Sequence, residues 1–145
     1  APEGAEAEDF LRLTLNSLHF LANGGRHELL IKSVMELRML CLAGYMPDLL
    51  ACAGCGAFEA DEMYLDPVGG GLFCGACRHR AGMGLLSLTR STLAGLRHIA
   101  LADFDKLFQF TLPEEGLKAL NAVTERYLLV QTDRRYKTLE FYHSL

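Results

Sequence analysis

Two pairs of cysteines carry the clearest chemistry in this chain of 145 residues. Cys52 and Cys55 form one Cys-x-x-Cys pair, Cys74 and Cys77 form a second, and 18 residues separate the two pairs. A two-residue gap lets both sulfurs of a pair turn toward one ion, and two such pairs supply the four corners of the tetrahedron that Zn²⁺ prefers. Four thiolates leave no coordination position for water or substrate, so the predicted zinc is structural and not catalytic.

Paired cysteines can also form disulfides or a thioredoxin-like redox motif. The chain begins with no basic segment followed by an apolar one, so nothing in the sequence directs it to a compartment where disulfides persist. No βαβ pattern surrounds either pair, which disfavours the redox motif. His79 could replace a ligand, but four cysteines already suffice, and Cys41 is interpreted as a small buried hydrophobe. No Ser or Cys lies beside a base in a nucleophile pattern, so the scattered histidines are interpreted as surface or helix-face residues.

The composition fits one globular domain with a core of its own, because half of the residues are apolar. The formal net charge is −4, and a zinc ion held by four thiolates would make the chain more acidic. An acidic chain is a poor stand-alone partner for phosphate backbones. The positive charge is unevenly distributed, however, and two basic clusters supply the candidate DNA contacts. These are Arg78, Arg80, Arg134, Arg135 and Lys137. Each of them could equally be an ordinary solvated side chain.

Apolar periodicity predicts a mainly α-helical bundle. A first helix is expected over about residues 8–22, with an apolar stripe of Leu11, Leu15, Leu18 and Ala22. A second is expected over about residues 26–43, apolar on more than one side and therefore central, with Gly44 as its stop. Thr89 should cap a third helix, and a fourth should carry its own apolar stripe and continue toward Leu145.

The region between the second and third helices is predicted to be a small zinc ribbon of about residues 49–82, inserted into the helical domain. Its strand-like pieces are Met63-Tyr64-Leu65 and Leu72-Phe73, joined by a glycine-rich turn. So few apolar side chains can bury little surface, which is why this segment needs a metal to hold it.

The order and spacing of these features resemble a known family. Three stretches carry the resemblance: residues 35–49 (MELRMLCLAGYMPDL), residues 70–74 (GGLFC) at the entry to the second cysteine pair, and residues 137–141 (KTLEF). These stretches resemble the C-terminal part of RecO, the bacterial recombination mediator. Their order and spacing match that family along nearly the whole chain. Met35 stands where the family often has Phe, which is an exchange of one apolar side chain for another.

The resemblance implies a role in DNA repair and homologous recombination, and it implies that the protein is not an enzyme. It implies a cytoplasmic bacterial protein that binds single- and double-stranded DNA, anneals strands and helps to load recombinase onto DNA coated by single-stranded-DNA-binding protein. The implied partners are RecR and the acidic C-terminal tail of single-stranded-DNA-binding protein. The family also places an OB-fold before the matched segment, and this fold binds strands with a basic groove and stacking aromatics. We expect that OB-fold to be absent from residues 1–145.

The C-terminal tail of single-stranded-DNA-binding protein ends in an apolar residue and a free carboxylate. A site that binds this tail therefore requires a hydrophobic slot with a cation at its rim. The candidate cations lie on helices that also present apolar residues: Lys32, Arg38 and Arg126. Each of them, taken alone, is more often an ordinary solvated helix charge.

Two other hypotheses compete with a RecO-like function. The first is an unrelated helical interaction domain held together by a structural zinc ribbon, such as a subunit of a transcription assembly. The second is a zinc-dependent hydrolase, which would need an open coordination position that four cysteines deny.

Overall fold

The computed structural model describes the backbone of residues 2–144 and the side chains of residues 4–5 and 7–137. Within these residues the fold is mainly helical with a small inserted sheet, which confirms the predicted class. The helices are α1 (Pro2–Asn23), α2 (Glu28–Leu42), α3 (Arg90–Leu101) and α4 (Glu114–Ser144), and the strands are β1 (Asp48–Cys52), β2 (Met63–Leu65), β3 (Gly71–Cys74) and β4 (Leu86–Leu88).

Helix α2 is the centre of the bundle, as its two apolar sides predicted. It contacts α1, α3 and α4, and Leu30, Val34 and Leu37 are buried between them. The helix ends where expected, because Gly44 adopts a φ of 94°, a left-handed conformation that glycine reaches without steric cost.

Helix α1 packs on the bundle with a different face from the one that periodicity selected. Leu13 and Ser17 are fully buried, whereas Leu11, Leu15 and Leu18 are 54–57% exposed. The helix carries apolar residues on two opposite sides, and the sequence could not tell which side meets α2. The expected stripe is therefore on the surface of the described part of the chain.

The sheet contains two strands beyond the two that were predicted. The strand order is β1-β3-β2-β4, with β1 parallel to β3 and the other pairs antiparallel. Strand β1 was missed because its sequence, Asp-Leu-Leu-Ala-Cys, does not alternate polar and apolar residues, and β4 because three residues give almost no periodic signal. The sheet begins at Asp48 and ends at Leu88, so its strands reach beyond the predicted span of about 49–82.

The last two helices agree closely with their sequence signals. The Thr89 hydroxyl accepts a 3.1 Å hydrogen bond from the backbone N–H of Thr92 and caps α3 as predicted. Helix α3 buries Leu93, Leu96 and Ile99. Helix α4 buries a stripe against α2 and α3 that consists of Leu117, Leu120, Val123 and Tyr127.

Helix α4 also holds the turn between β2 and β3. The side-chain amide of Gln131 donates to the carbonyls of Pro67 and Val68 at 2.7 and 3.0 Å. From the other side, Nε of Arg97 on α3 donates to the carbonyl of Leu49 in β1 at 2.8 Å. The ribbon is therefore fixed to the bundle by side chains from two helices.

Candidate functional site

The four predicted zinc ligands meet at one point of the ribbon. Cys52 is the last residue of β1 and Cys74 the last residue of β3, so these two neighbouring parallel strands deliver both pairs to the same end of the sheet. All four sulfurs lie within 4.8 Å of one another, and Sγ of Cys55 is 3.7 Å from Sγ of Cys74. A tetrahedral ion with Zn–S bonds of about 2.3 Å holds its sulfurs about 3.8 Å apart, so this cluster fits zinc.

The backbone around the cluster is shaped to hold thiolates. Burial by itself works against ionisation of Cys52, but the backbone N–H groups of Cys74 and Gly54 donate to its sulfur at 3.3 and 3.4 Å. Together these donors place the pKa of Cys52 below that of an ordinary thiol. A Cβ at Gly54 would lie 2.7 Å from both Cβ and Sγ of Cys77, so only glycine fits in this turn.

The donor set determines what a bound ion can do. Three of the four cysteines are buried, and Cys55 alone among them is exposed. Four sulfur ligands would hold a zinc ion without an open position, and the ion would join the end of β1 to the end of β3. The residues therefore suit a structural metal.

The other thiol and the neighbouring histidine take no part in the cluster. His79 is exposed in a short 3₁₀ turn, Arg78–Arg80, and is not among the residues that approach the four sulfurs. Cys41 is half-buried in α2, and burial raises the pKa of its thiol to about 11. A thiol in that environment is inert at neutral pH.

The structure divides the five candidate DNA contacts into two groups. Arg78 stacks over the Tyr64 ring at 4.5 Å and donates to the Tyr64 hydroxyl, and Arg80 donates to the carbonyl of Gly54. Both therefore lie on the ribbon beside the metal cluster. The aromatic partner Tyr64 was missed, because no sequence signal links the middle of β2 to a residue 14 positions later.

The second group lies along α4. Arg134 donates to the Val68 carbonyl in the β2–β3 turn. The Cζ atom of Arg135 lies 6.0 Å from the centroid of the Tyr45 ring. Lys137 forms an ion pair with Asp133 at 3.2 Å. All three side chains are exposed. They lie within four residues of one helix, and Arg134 contacts the turn of the ribbon.

An apolar groove of about 460 Å³ opens between α1, α2 and α4. Its apolar walls come from Leu21, Ile31, Met35, Met39 and Leu128. The two methionines occupy the second apolar side of α2 that the sequence had shown, so this part of the groove could be foreseen. Methionine side chains adapt to different partners, and such grooves commonly receive apolar side chains of another chain.

The three cations predicted to hold a partner tail do not converge on this groove. Lys32 lines it, and its ammonium group lies 3.1 Å from Glu36, 3.1 Å from Asn121 and 3.4 Å from Glu125. Arg38 instead donates to the carbonyls of Ile99, Ala100 and Ala102, where it caps α3. Arg126 is exposed on α4 and is not among the residues that line the groove.

Comparison with known proteins agrees with this architecture. The family model described as "Recombination protein O C terminal" matches residues 1–140. A "DNA repair protein RecO" of Acetivibrio thermocellus is 32% identical over 99% of this chain and 57% of its own length. Proteins of the same name from Symbiobacterium thermophilum and Dehalococcoides mccartyi are each 29% identical, and the chain covers 58% and 56% of them.

The chain thus spans a little over half of the length of these relatives. None of the helices in the described part of the chain is long and apolar enough to cross a membrane. The match over residues 1–140, together with the helical bundle and its four-cysteine ribbon, shows that this chain belongs to the family of RecO C-terminal domains.

Proposed function

We propose that this chain is the C-terminal part of a RecO-type mediator of DNA repair and homologous recombination. In this role it binds DNA, supports strand annealing and helps to load recombinase in the bacterial cytoplasm, together with RecR and single-stranded-DNA-binding protein. It has no catalytic activity of its own. The observation that carries the proposal is the family match over residues 1–140, combined with the helical bundle and the cysteine cluster of this chain.

We propose further that an OB-fold preceding residue 1 supplies most of the affinity for DNA. The chain itself is acidic, with a formal net charge of −4, and its candidate DNA contacts form only two small groups. The cations Arg134, Arg135 and Lys137 of α4 and the ribbon pair of Arg78 and Arg80 would then add contacts to phosphates. Such contacts strengthen binding without reading sequence.

Salt-dependent DNA binding tests this part of the proposal. The chain should bind a fluorescently labelled oligothymidine weakly, and the logarithm of its affinity should fall with the logarithm of salt concentration by about 0.7 for each neutralised phosphate. Alanine at Arg134, Arg135 and Lys137 together should reduce that slope by about 2. Lys118→Ala, at an exposed site near the start of α4, is the matched control. Tight binding that salt does not weaken would contradict the proposal.

We also propose that the apolar groove receives the C-terminal residue of the acidic tail of single-stranded-DNA-binding protein. Met35, Met39 and Leu128 would contact the apolar end of the tail, and Lys32 would contact its carboxylate. Lys32 is already shared between Glu36 and Glu125, so the tail must compete with these two carboxylates. We therefore expect weak binding that depends on the terminal apolar residue.

Calorimetric titration of a tail peptide tests this groove. Wild-type chain should bind with micromolar affinity, and Met39→Lys or removal of the terminal apolar residue should abolish the heat. Glu125→Gln should tighten binding about threefold, because it removes a competing charge from an exposed ion pair. Lys32→Gln should weaken binding, whereas Lys118→Gln should not. A peptide that binds wild type and Met39→Lys equally well would place tail recognition elsewhere.

A further inference from the structure

A slot of about 250 Å³ opens between the C-terminal end of α2 and one face of α4. Its walls consist of Leu40, Ala43, Tyr45, Gln131, Thr132 and Arg135. Two of these side chains carry flat groups, because Tyr45 supplies an aromatic ring and Arg135 a guanidinium. The phosphate contacts proposed above use the charge of Arg135 but make no use of the slot.

The guanidinium of Arg135 lies over the Tyr45 ring at an unusually wide distance. Its Cζ atom is 6.0 Å from the ring centroid. In a close pair of the same kind, Arg97 over Phe58, this distance is 3.8 Å. A separation of about 6 Å is the outer limit of cation–π attraction, so the two groups of the slot gain little from each other.

A flat ring fits between these two groups after a small movement. Stacked bases in DNA lie about 3.4 Å apart, so a base with a stacking neighbour on each side needs a gap of about 7 Å. The gap between Tyr45 and Arg135 is 6.0 Å, about 1 Å too narrow. Because the Arg135 side chain is long and exposed, it can move outward by that amount without disturbing the core.

The backbone of Tyr45 is fixed, and its ring is available to the slot. The N–H of Tyr45 donates to the Leu40 carbonyl at 2.8 Å, and its own carbonyl accepts from the Tyr127 hydroxyl at 2.8 Å. The ring is half-buried, so one part of it packs on the protein and another part remains open. An aromatic group that is already held in place loses little conformational entropy when a ligand stacks on it.

The charge beside the slot favours a ligand with phosphate groups. Arg134 and the slot residue Gln131 donate to the same carbonyl of the β2–β3 turn, so a second guanidinium lies next to the slot. The acidic side chain closest to it along α4 is Asp133, which pairs with Lys137 at 3.2 Å. The surroundings of the slot on α4 are therefore positive, as single-strand sites that combine stacking with phosphate contacts require.

We propose that this slot receives one base of single-stranded DNA, stacked between the Tyr45 ring and the Arg135 guanidinium. The inference rests on the proposed function and adds a base contact to a surface that was otherwise assigned phosphate contacts alone. Every base has a flat face, so the slot accepts different sequences. The bases of a duplex are already stacked on one another, so the slot favours single strands.

Two strands of equal charge test whether a base enters the slot. These are a fluorescently labelled oligothymidine and an abasic strand of the same length, and their binding is measured by anisotropy at low salt. Wild-type chain should prefer the oligothymidine by about tenfold. Tyr45→Ala should make the two affinities equal, whereas Tyr45→Phe should keep the preference. Tyr136→Ala is the matched control and should also keep it, since Tyr136 is a 64% exposed aromatic residue of α4 outside the slot.

A second variant, Arg135→Lys, separates stacking from charge. Lysine keeps the positive charge but lacks the flat guanidinium. The preference for oligothymidine should therefore be lost, while the dependence of binding on salt stays the same. Arg135 is exposed, so this variant tests the slot even if Tyr45→Ala does not fold. Equal binding of the two strands by wild type would overturn the inference, and so would a preference that Arg135→Lys leaves unchanged.

Photocrosslinking identifies the stacked side chain directly. An oligonucleotide that contains 5-iodouracil crosslinks to aromatic rings on which the base stacks, and tandem mass spectrometry locates the modified residue. We expect the crosslink at Tyr45. A crosslink at Tyr64 or Tyr136 instead would overturn the inference.

Strand annealing separates this inference from the proposed function. It is measured in a longer chain in which the unmatched N-terminal part of the Acetivibrio thermocellus relative precedes Ala1. Annealing without a crosslink at Tyr45 would overturn the slot and leave the proposed function standing. A crosslink at Tyr45 in a longer chain that does not anneal strands would support the slot and count against the proposed function.

Discussion

The hydroxyl of Tyr127 on α4 donates a 2.8 Å hydrogen bond to the backbone carbonyl of Tyr45, in the segment that leads from α2 into β1. Tyr127 is buried, and its hydroxyl also lies beside Gly70, where a Cβ would approach it to 3.2 Å. One side chain of the long helix therefore touches both the entry to the ribbon and the turn between β2 and β3. Tyr127 thus joins Gln131 and Arg97 among the side chains that fix the ribbon to the bundle.

Tyr127→Phe should destabilise the protein by about 1–2 kcal/mol, because it removes the hydrogen bond to the Tyr45 carbonyl and keeps the packing of the ring. Urea denaturation followed by circular dichroism measures the change. Tyr136→Phe is the matched control, since Tyr136 is 64% exposed on the same helix. Equal stability of the Tyr127→Phe variant and wild type would show that this hydrogen bond contributes nothing to the fold.

The same residue should make the protein sensitive to alkaline pH. Burial raises the pKa of Tyr127 to about 12, above the value of about 10 in an unfolded chain. The folded state therefore favours the neutral phenol, and its contribution to stability is complete below about pH 10 and is lost as the pH rises toward 12. The stability difference between wild type and Tyr127→Phe should shrink over this interval. A difference that stays constant from pH 8 to pH 12 would contradict the assignment.

Arg97 should be the main link between α3 and the ribbon. Its guanidinium donates to the carbonyls of Leu49 and Phe58 at 2.8 and 2.7 Å and lies 3.8 Å from the Phe58 ring. Arg97→Ala should cost about 2–3 kcal/mol, since it removes two charge-assisted hydrogen bonds and a cation–π contact. Arg90→Ala, at the exposed start of the same helix, should cost almost nothing. Thermal unfolding measures the stability of both variants. A similar small loss of stability in both would contradict the role of Arg97 as the main link.

The sequence predicted the elements whose signals are local. The cysteine spacing located the metal cluster, Gly44 marked the end of α2, and Thr89 marked the start of α3. The face of α1 could not be predicted, because Leu13 and Leu15 are equally apolar and only the position of α2 decides which of them is buried. The hydrogen-bond partners of Arg38 could not be predicted either, because the three carbonyls that it contacts lie more than 60 positions away along the chain.

Arg38 provides a test that separates support of the fold from partner binding. It donates to the carbonyls of Ile99 and Ala102 at 2.9 and 3.0 Å, at the end of α3. Arg38→Ala should destabilise the protein by about 1–3 kcal/mol, because these carbonyls lose a charged donor. Binding of the tail peptide at a temperature where the variant is folded should stay unchanged. Unchanged stability with loss of peptide binding would instead assign Arg38 to the tail.

The four-cysteine site is tested most directly by X-ray absorption at the zinc edge on protein purified under reducing conditions, with the metal content measured on the same sample. We predict one zinc per chain with four sulfur neighbours at about 2.3 Å and no nitrogen or oxygen neighbours. Cys74→Ser should lower the zinc content, while Cys41→Ser should leave both the content and the spectrum unchanged. A wild-type protein without zinc, or zinc with nitrogen or oxygen in its first shell, would contradict the assignment of Cys52, Cys55, Cys74 and Cys77 as a closed structural site.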